Sequence, residues 1–148
     1  KRKEGDKQVP EGYYLIDKLN PNSRFHLSLH VNYPNKSDAI LSDKQKPGNL
    51  IFVHGKCASI GCIPVQDGPI EELYVLCTEA MNNGQHSIPI TIFPFDYNQH
   101  EISSFSKNQS QENVRLWQDL KEGFTYFELN KKLPVIQFFE NGRCQIID

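Results

Sequence analysis

Twelve consecutive residues, Val53 to Pro64 (VHGKCASIGCIP), hold one histidine, two cysteines, two glycines and a serine. Residue types of this kind, at this density, can carry nucleophilic chemistry. A thiol attacks as its thiolate, and a free cysteine with an ordinary pKa of about 8.5 is mostly protonated at neutral pH, so it needs a base or a positive field beside it. His54 is the base nearest in sequence to Cys57 and Cys62. Cys62 follows Gly61, where the backbone can turn tightly, and the successive N–H groups of Ile60, Gly61 and Cys62 could converge on a developing oxyanion. In outline this is a cysteine acyl-transfer site. The same residues also suit a loop closed by a Cys57–Cys62 disulfide, or half of a zinc site. A zinc site needs a second ligand pair; His26, His30, His86 and His100 offer no such spacing and Cys144 stands alone. The expectation is no metal and no cofactor.

The segment that must deliver this loop is Asn49 to Val53, a short continuous apolar run after Pro47-Gly48, which is the pattern of a buried strand. Gly12 to Asp17 and Phe25 to Val31 read as two more strands, with a turn cluster at Asn20-Pro21-Asn22-Ser23 between them. Asn35 to Gly48 is polar enough to be an exposed loop or lid. Asp67-Gly68-Pro69 with Glu71 and Glu72 has the order of a helix start, Asp67 as N-cap, and a helix from about Pro69 to Asn83 follows. Its apolar stripe (Ile70, Leu73, Tyr74, Cys77, Ala80, Met81) faces a core, so Cys77 is read as a buried structural thiol. Ser87 to Phe95 reads as a strand whose prolines argue for a sheet edge. Gln109 to Glu122 reads as a second helix, with Val114, Trp117 and Leu120 on one face and Trp117 in the core. Pro134 to Glu140 and Arg143 to Ile147 flank Asn141-Gly142, the pair of a type I′ hairpin turn. These elements make an α+β, strand-rich domain with two packed helices.

The chain's 148 residues suit a single domain. A hydrophobic content of 38%, a charged content of 23% and sixteen aromatic residues (Phe, Tyr and Trp together) are globular values. A net charge of -2 lacks the basic field that phosphate backbones demand, which argues against a nucleic-acid partner. The longest apolar runs, Tyr13 to Ile16 and Leu50 to Val53, fall far short of the roughly 20 residues that span a bilayer.

Val53-His54-Gly55-Lys56-Cys57-Ala58-Ser59-Ile60-Gly61-Cys62 resembles the catalytic motif of the L,D-transpeptidase (YkuD-like) domain, in the short-loop branch that includes enzymes releasing Braun lipoprotein from peptidoglycan. The resemblance extends, in one colinear order over residues 5 to 95, through Gly5-Asp6 to Tyr14, Leu19 to Ser23, Phe25-His26-Leu27, Asn32-Tyr33-Pro34-Asn35, Gly84-Gln85, Ile88-Pro89 and Phe93-Pro94-Phe95. It implies the family's fold of mixed β-sheets with two or more packed helices. It makes Cys62 the nucleophile, His54 its general base and later acid, Gly55 the carbonyl that orients the imidazole, and Ser59 and Gly61 members of the nucleophile loop. The branch's substrate-side segment suggests His26, Asn32 and Tyr33 for a peptide groove. From the residues alone, an exposed or satisfied histidine is the favoured reading of His26, and a simple Asn-Tyr-Pro-Asn turn explains the others without a ligand. Two positions depart from the broader motif: Ile60 stands where a second histidine positions substrate, and Pro64 where arginine is frequent.

The implied partner is the diaminopimelate-containing stem peptide of peptidoglycan, handled by transpeptidation or by hydrolysis of the same bond, in the periplasm or cell wall of an exported protein. Acylation by carbapenems, with poor inhibition by penicillins, is also implied. A non-catalytic wall-binding module is the competing class. The resemblance further implies strands ahead of Gly5-Asp6, so residues 1–148 are read as one catalytic domain lacking its first N-terminal strands.

Overall fold

The computed structural model describes residues 1–147. A five-stranded sheet runs in the order β4-β3-β2-β1-β5, with β1 Gly12–Ser23, β2 His26–Val31, β3 Ile51–His54, β4 Ile63–Pro64 and β5 Ile88–Ile92. All its pairings are antiparallel except β3 with β4. A separate hairpin joins β6 Ile136–Phe138 to β7 Cys144–Ile146. Three α-helices, α1 Lys36–Leu41, α2 Asp67–Asn82 and α3 Gln111–Asn130, complete an α+β fold of mixed sheet and packed helices.

Period-two alternation decides which face of the sheet does what. Leu29, Val31, Ile51 and Val53 turn to one side, where α2 lays Ile70 and Cys77 against them to form the core. Ser28, Phe52 and His54 therefore turn to the other side. The edge position inferred for the proline-bearing strand holds: among the described residues β5 pairs only with β1, and Pro89 sits within it.

Several local expectations are corrected. The Asn20 to Ser23 cluster is extended rather than a turn: β1 continues to Ser23, and the hairpin closes at Arg24-Phe25, with Phe25 N–H donating to Ser23 Oγ at 3.1 Å. The polar stretch from Asn35 contains α1, started by a capping box in which the Asn35 and Asp38 side chains each accept the other's backbone N–H. Asp67 lies inside α2 instead of capping it, because its carboxylate is drawn to Lys56 N–H at 2.7 Å. Helix α3 runs through Gly123 to Asn130; the Tyr13 hydroxyl occupies the space a Cβ at Gly123 would need. The final hairpin turn is not type I′, since Gly142 has a positive φ of 80° and Asn141 does not. It is a three-residue loop, closed by Gly142 N–H to Phe139 O and Phe139 N–H to Arg143 O.

That hairpin is held to α3 through Asp119, 4% exposed, whose carboxylate accepts Arg143 Nε–H at 3.1 Å and Cys144 N–H at 3.3 Å. Asp119→Ala strips Cys144 N–H of its buried partner and should destabilise the fold by about 2 kcal/mol, read as a lower urea midpoint with unchanged m-value. A loss below the error of that measurement would mean the hairpin is anchored by other contacts. Among the described residues no helix is long and apolar enough to cross a membrane.

Candidate active site

Strands β3 and β4 are parallel yet joined only by residues 55–62. Parallel neighbours ordinarily need a crossover of a dozen or more residues, so this loop must double straight back along β3. With Val53 opposite Ile63, Cys62 falls one position before the start of β4 and returns beside the strand it left. Its Sγ–H donates to Leu50 O at 3.6 Å. The same fold-back leaves His54 at the end of β3, so two residues eight apart in sequence share one cavity of about 290 Å³.

The loop is fixed by close approaches. A Cβ on Gly55 would lie 2.6 Å from both Asp67 Oδ1 and Phe25 O, so only glycine passes there. Gly61 has φ 136° and packs toward Gln8 O, where a Cβ would sit at 3.3 Å. Ser59 Oγ donates to Cys62 O at 2.9 Å and accepts Gly61 N–H at 3.1 Å, which ties the nucleophile loop to itself. Lys56 within this loop and His26, Leu50 and Gln66 beside it are non-glycine residues with positive φ, a concentration of constrained backbone of the sort found at functional sites.

His54 is 2% exposed, and its Nδ1 lies 2.6 Å from Gly55 O. A carbonyl oxygen only accepts, so Nδ1 carries the proton and Nε2 of the neutral ring keeps its lone pair. Phe25 covers the imidazole with its ring centroid 4.6 Å away. This tautomer can take a proton from a thiol that rotates off Leu50 O. Of the oxyanion donors inferred from sequence, Gly61 N–H is already given to Ser59 Oγ. The N–H groups of Ile60 and Cys62 have no acceptor among the described residues.

The cavity is completed by Asn20, Asn22, Ser23 and Phe25, from the segment that resembles the family's substrate side, and by Arg24, Ser28 and Phe52, which the sequence did not single out. Asn20, Ser28 and His54 stand in register across β1, β2 and β3, all three lining it, with Phe52 beside them and Asn22, Ser23 and Arg24 from the hairpin tip. The residues proposed for substrate do not gather here. His26 Nε2 pairs with Glu71 Oε1 of α2 at 2.6 Å, and the positive φ of His26, 74°, breaks the alternation that would have put it on one face with His30. His30 is likewise satisfied, by Asp17 Oδ1 at 2.6 Å. Tyr33 is a core residue, 4% exposed, its hydroxyl donating to Pro47 O at 2.8 Å. Asn32 closes the β1–β2 ladder, its Oδ1 accepting Leu15 N–H at 2.8 Å, and borders a different cavity. Ile60 is on the nucleophile loop but 80% exposed and outside the cavity lining.

All four thiols are free. Among the described residues, no group of three or more His, Cys, Asp or Glu side chains converges to hold a metal ion. Burial raises the Cys77 thiol pKa, and burial with the Asp119 carboxylate nearby pushes Cys144 up to about 12. Iodoacetamide on the folded protein near pH 8 should therefore alkylate Cys57 and Cys62 alone, two mass increments, and all four thiols in urea. Labelling of Cys77 or Cys144 without denaturant would refute that assignment of the buried thiols.

No protein-family model matches the chain. It is 31% identical to the protein of Escherichia coli K12 named "Putative L,D-transpeptidase YafK", over 97% of this chain and 56% of that protein. The chain belongs to the L,D-transpeptidase family. The O157:H7 strain's protein of the same name matches with the same identity and coverage. The family chain described here thus spans little more than half the length of the curated relatives it matches. A crystal structure of the helical cell shape determining protein Pgp2 from Campylobacter jejuni aligns with a TM-score of 0.48 and 20% identity, covering 86% of this chain and 43% of that one.

Proposed function

We propose that residues 1–148 form the catalytic domain of a peptidoglycan-modifying cysteine acyl-transferase of the cell envelope. The observation that carries this reading is the His54 imidazole, its Nδ1 fixed on Gly55 O, opening with Cys62 onto one cavity. His54 Nε2 takes the Cys62 proton, and the thiolate attacks the carbonyl at the L-centre of diaminopimelate. The N–H group of Cys62 is the available donor to the oxyanion in this cavity. Collapse of the tetrahedral intermediate breaks the C–N bond, the leaving amine takes the proton from His54, and a thioester remains on Cys62. An incoming amine or water then gives its proton to His54 as its nitrogen or oxygen bonds the acyl carbon; the C–S bond breaks, and the Cys62 thiolate leaves and regains the proton from His54. Amine makes a new cross-link or attachment; water trims the stem. Among the proposed site residues, Gly55 orients the base, and Ser59 with Gly61 shapes the nucleophile loop.

Incubation with purified muropeptides followed by mass spectrometry tests this. A transferred peptide identifies an amine acceptor and a shortened stem identifies hydrolysis; either product supports acyl chemistry. Unchanged muropeptides that nonetheless bind the folded protein would replace this reading with a wall-binding module.

A further inference from the structure

Resting on the acyl-transfer reading above, we propose that Arg24 selects the substrate, by pairing with a free carboxylate close to the scissile amide. Of the nine described residues lining the Cys62 cavity, Arg24 is the one with a permanently charged side chain, and none is acidic. Its guanidinium has no carboxylate within ion-pair distance among the described residues. The acidic groups around the site are already engaged: Asp67 by Lys56 N–H, Glu71 by His26 and Asp17 by His30. Lys56 adds a second cation at the same rim. Its Nζ donates to Arg24 O at 2.6 Å and lies 5.9 Å from the Phe25 ring centroid.

This local positive rim opposes the net charge of -2 on the whole chain, so it is a feature of the cavity rather than a consequence of composition. The tip that bears Arg24 is fixed, being closed by Phe25 N–H to Ser23 Oγ and by the Lys56 contact. An arginine fork matches a carboxylate with two parallel hydrogen bonds, which makes orientation as well as charge part of the selection. Pro64 and Ile60 offer no such contact from the nucleophile loop. The cation comes instead from the β1–β2 hairpin, a different element lining the same cavity. The chemical class that fits is a peptide whose carboxylate flanks the bond to be cut, in preference to its carboxamide.

Alkylation of Cys62 reports this charge preference without requiring turnover. The thiolate forms an S–C bond as the C–I bond breaks and iodide leaves, the thiol proton passing to His54 or buffer; the reagent is either anionic iodoacetate or neutral iodoacetamide. In Arg24→Gln the iodoacetate-to-iodoacetamide rate ratio at Cys62 should fall roughly fivefold, the upper scale of a solvent-exposed ion pair, while the ratio at Cys57 stays unchanged and Arg24→Lys keeps most of the effect. With stem peptides, Arg24→Gln should raise KM for the free carboxylate and leave the amidated peptide's KM unchanged. An unaltered ratio at Cys62, or an equal change at Cys57, overturns the proposal. A fallen ratio at Cys62 alone, with no acyl-enzyme from either peptide, upholds the carboxylate site and discards the acyl-transfer reading instead.

Discussion

Cys62→Ala leaves no measurable conversion of muropeptides, a loss on the order of 10⁴-fold or more, as expected when a covalent nucleophile is removed. Cys57→Ala keeps most of the rate. The two cysteines are five positions apart and both free, so the contrast rests on placement. Cys62 is half-buried, lines the cavity with His54 and is followed directly by β4; Cys57 is exposed on the outward part of the loop. Alanine at 62 also preserves Ser59 Oγ–H to Cys62 O, because that bond uses the backbone, so the loop keeps its form and the loss is chemical. Product analysis by liquid chromatography and mass spectrometry decides it. Equal losses from both variants would instead point to a joint role, such as a disulfide.

His54→Ala should lower the acylation rate by about 100-fold or more, the usual scale for a positioned general base. The substitution removes a ring that is 2% exposed, donates to Gly55 O and is covered by Phe25, so some loss of stability accompanies it. His54→Asn separates the two effects: its side-chain amide nitrogen stands where Nδ1 does and can still donate to Gly55 O, yet it has no basic nitrogen. Single-turnover acylation should fall to a similar extent in both variants while the melting temperature of the Asn variant stays nearer to that of the parent. An Asn variant with unimpaired acylation would assign the proton transfer to another group.

How far the sequence reaches is clearest at particular residues. The α2 stripe was legible because Ile70 and Cys77 recur at helical spacing, and the β5 edge because prolines cannot serve a central ladder. The short α1 was hidden: six residues give too little periodicity, and its start depends on the reciprocal Asn35–Asp38 cap within a polar run. The second helix, read only as far as Glu122, continues to Asn130 through Gly123, where Tyr13, 110 positions earlier, occupies the space a Cβ would need. Cys62 and His54 stood out because cysteine, histidine and glycine cluster locally in sequence. Ser28 and Arg24 did not, and Asn20 was legible only as part of the segment resembling the family's substrate side, since what brings them to the cavity is the register of three strands and one hairpin tip, a long-range property that residue type alone does not encode. Tyr33 and His26 went the other way: chemically able side chains whose hydroxyl and ring nitrogen are spent on Pro47 O and Glu71.

The central claim is that Cys62 accepts an acyl group from a carbonyl held in this cavity, and a carbapenem tests it most directly. Its strained lactam presents an activated carbonyl to the thiolate; ring opening breaks the C–N bond, and the resulting thioester persists where no acceptor is well placed. Intact mass spectrometry of the reduced, folded protein followed by peptide mapping should show one carbapenem per chain, on Cys62, absent in Cys62→Ala and slow to form in His54→Ala. An adduct mapping to Cys57, or no adduct after prolonged incubation, would contradict the account.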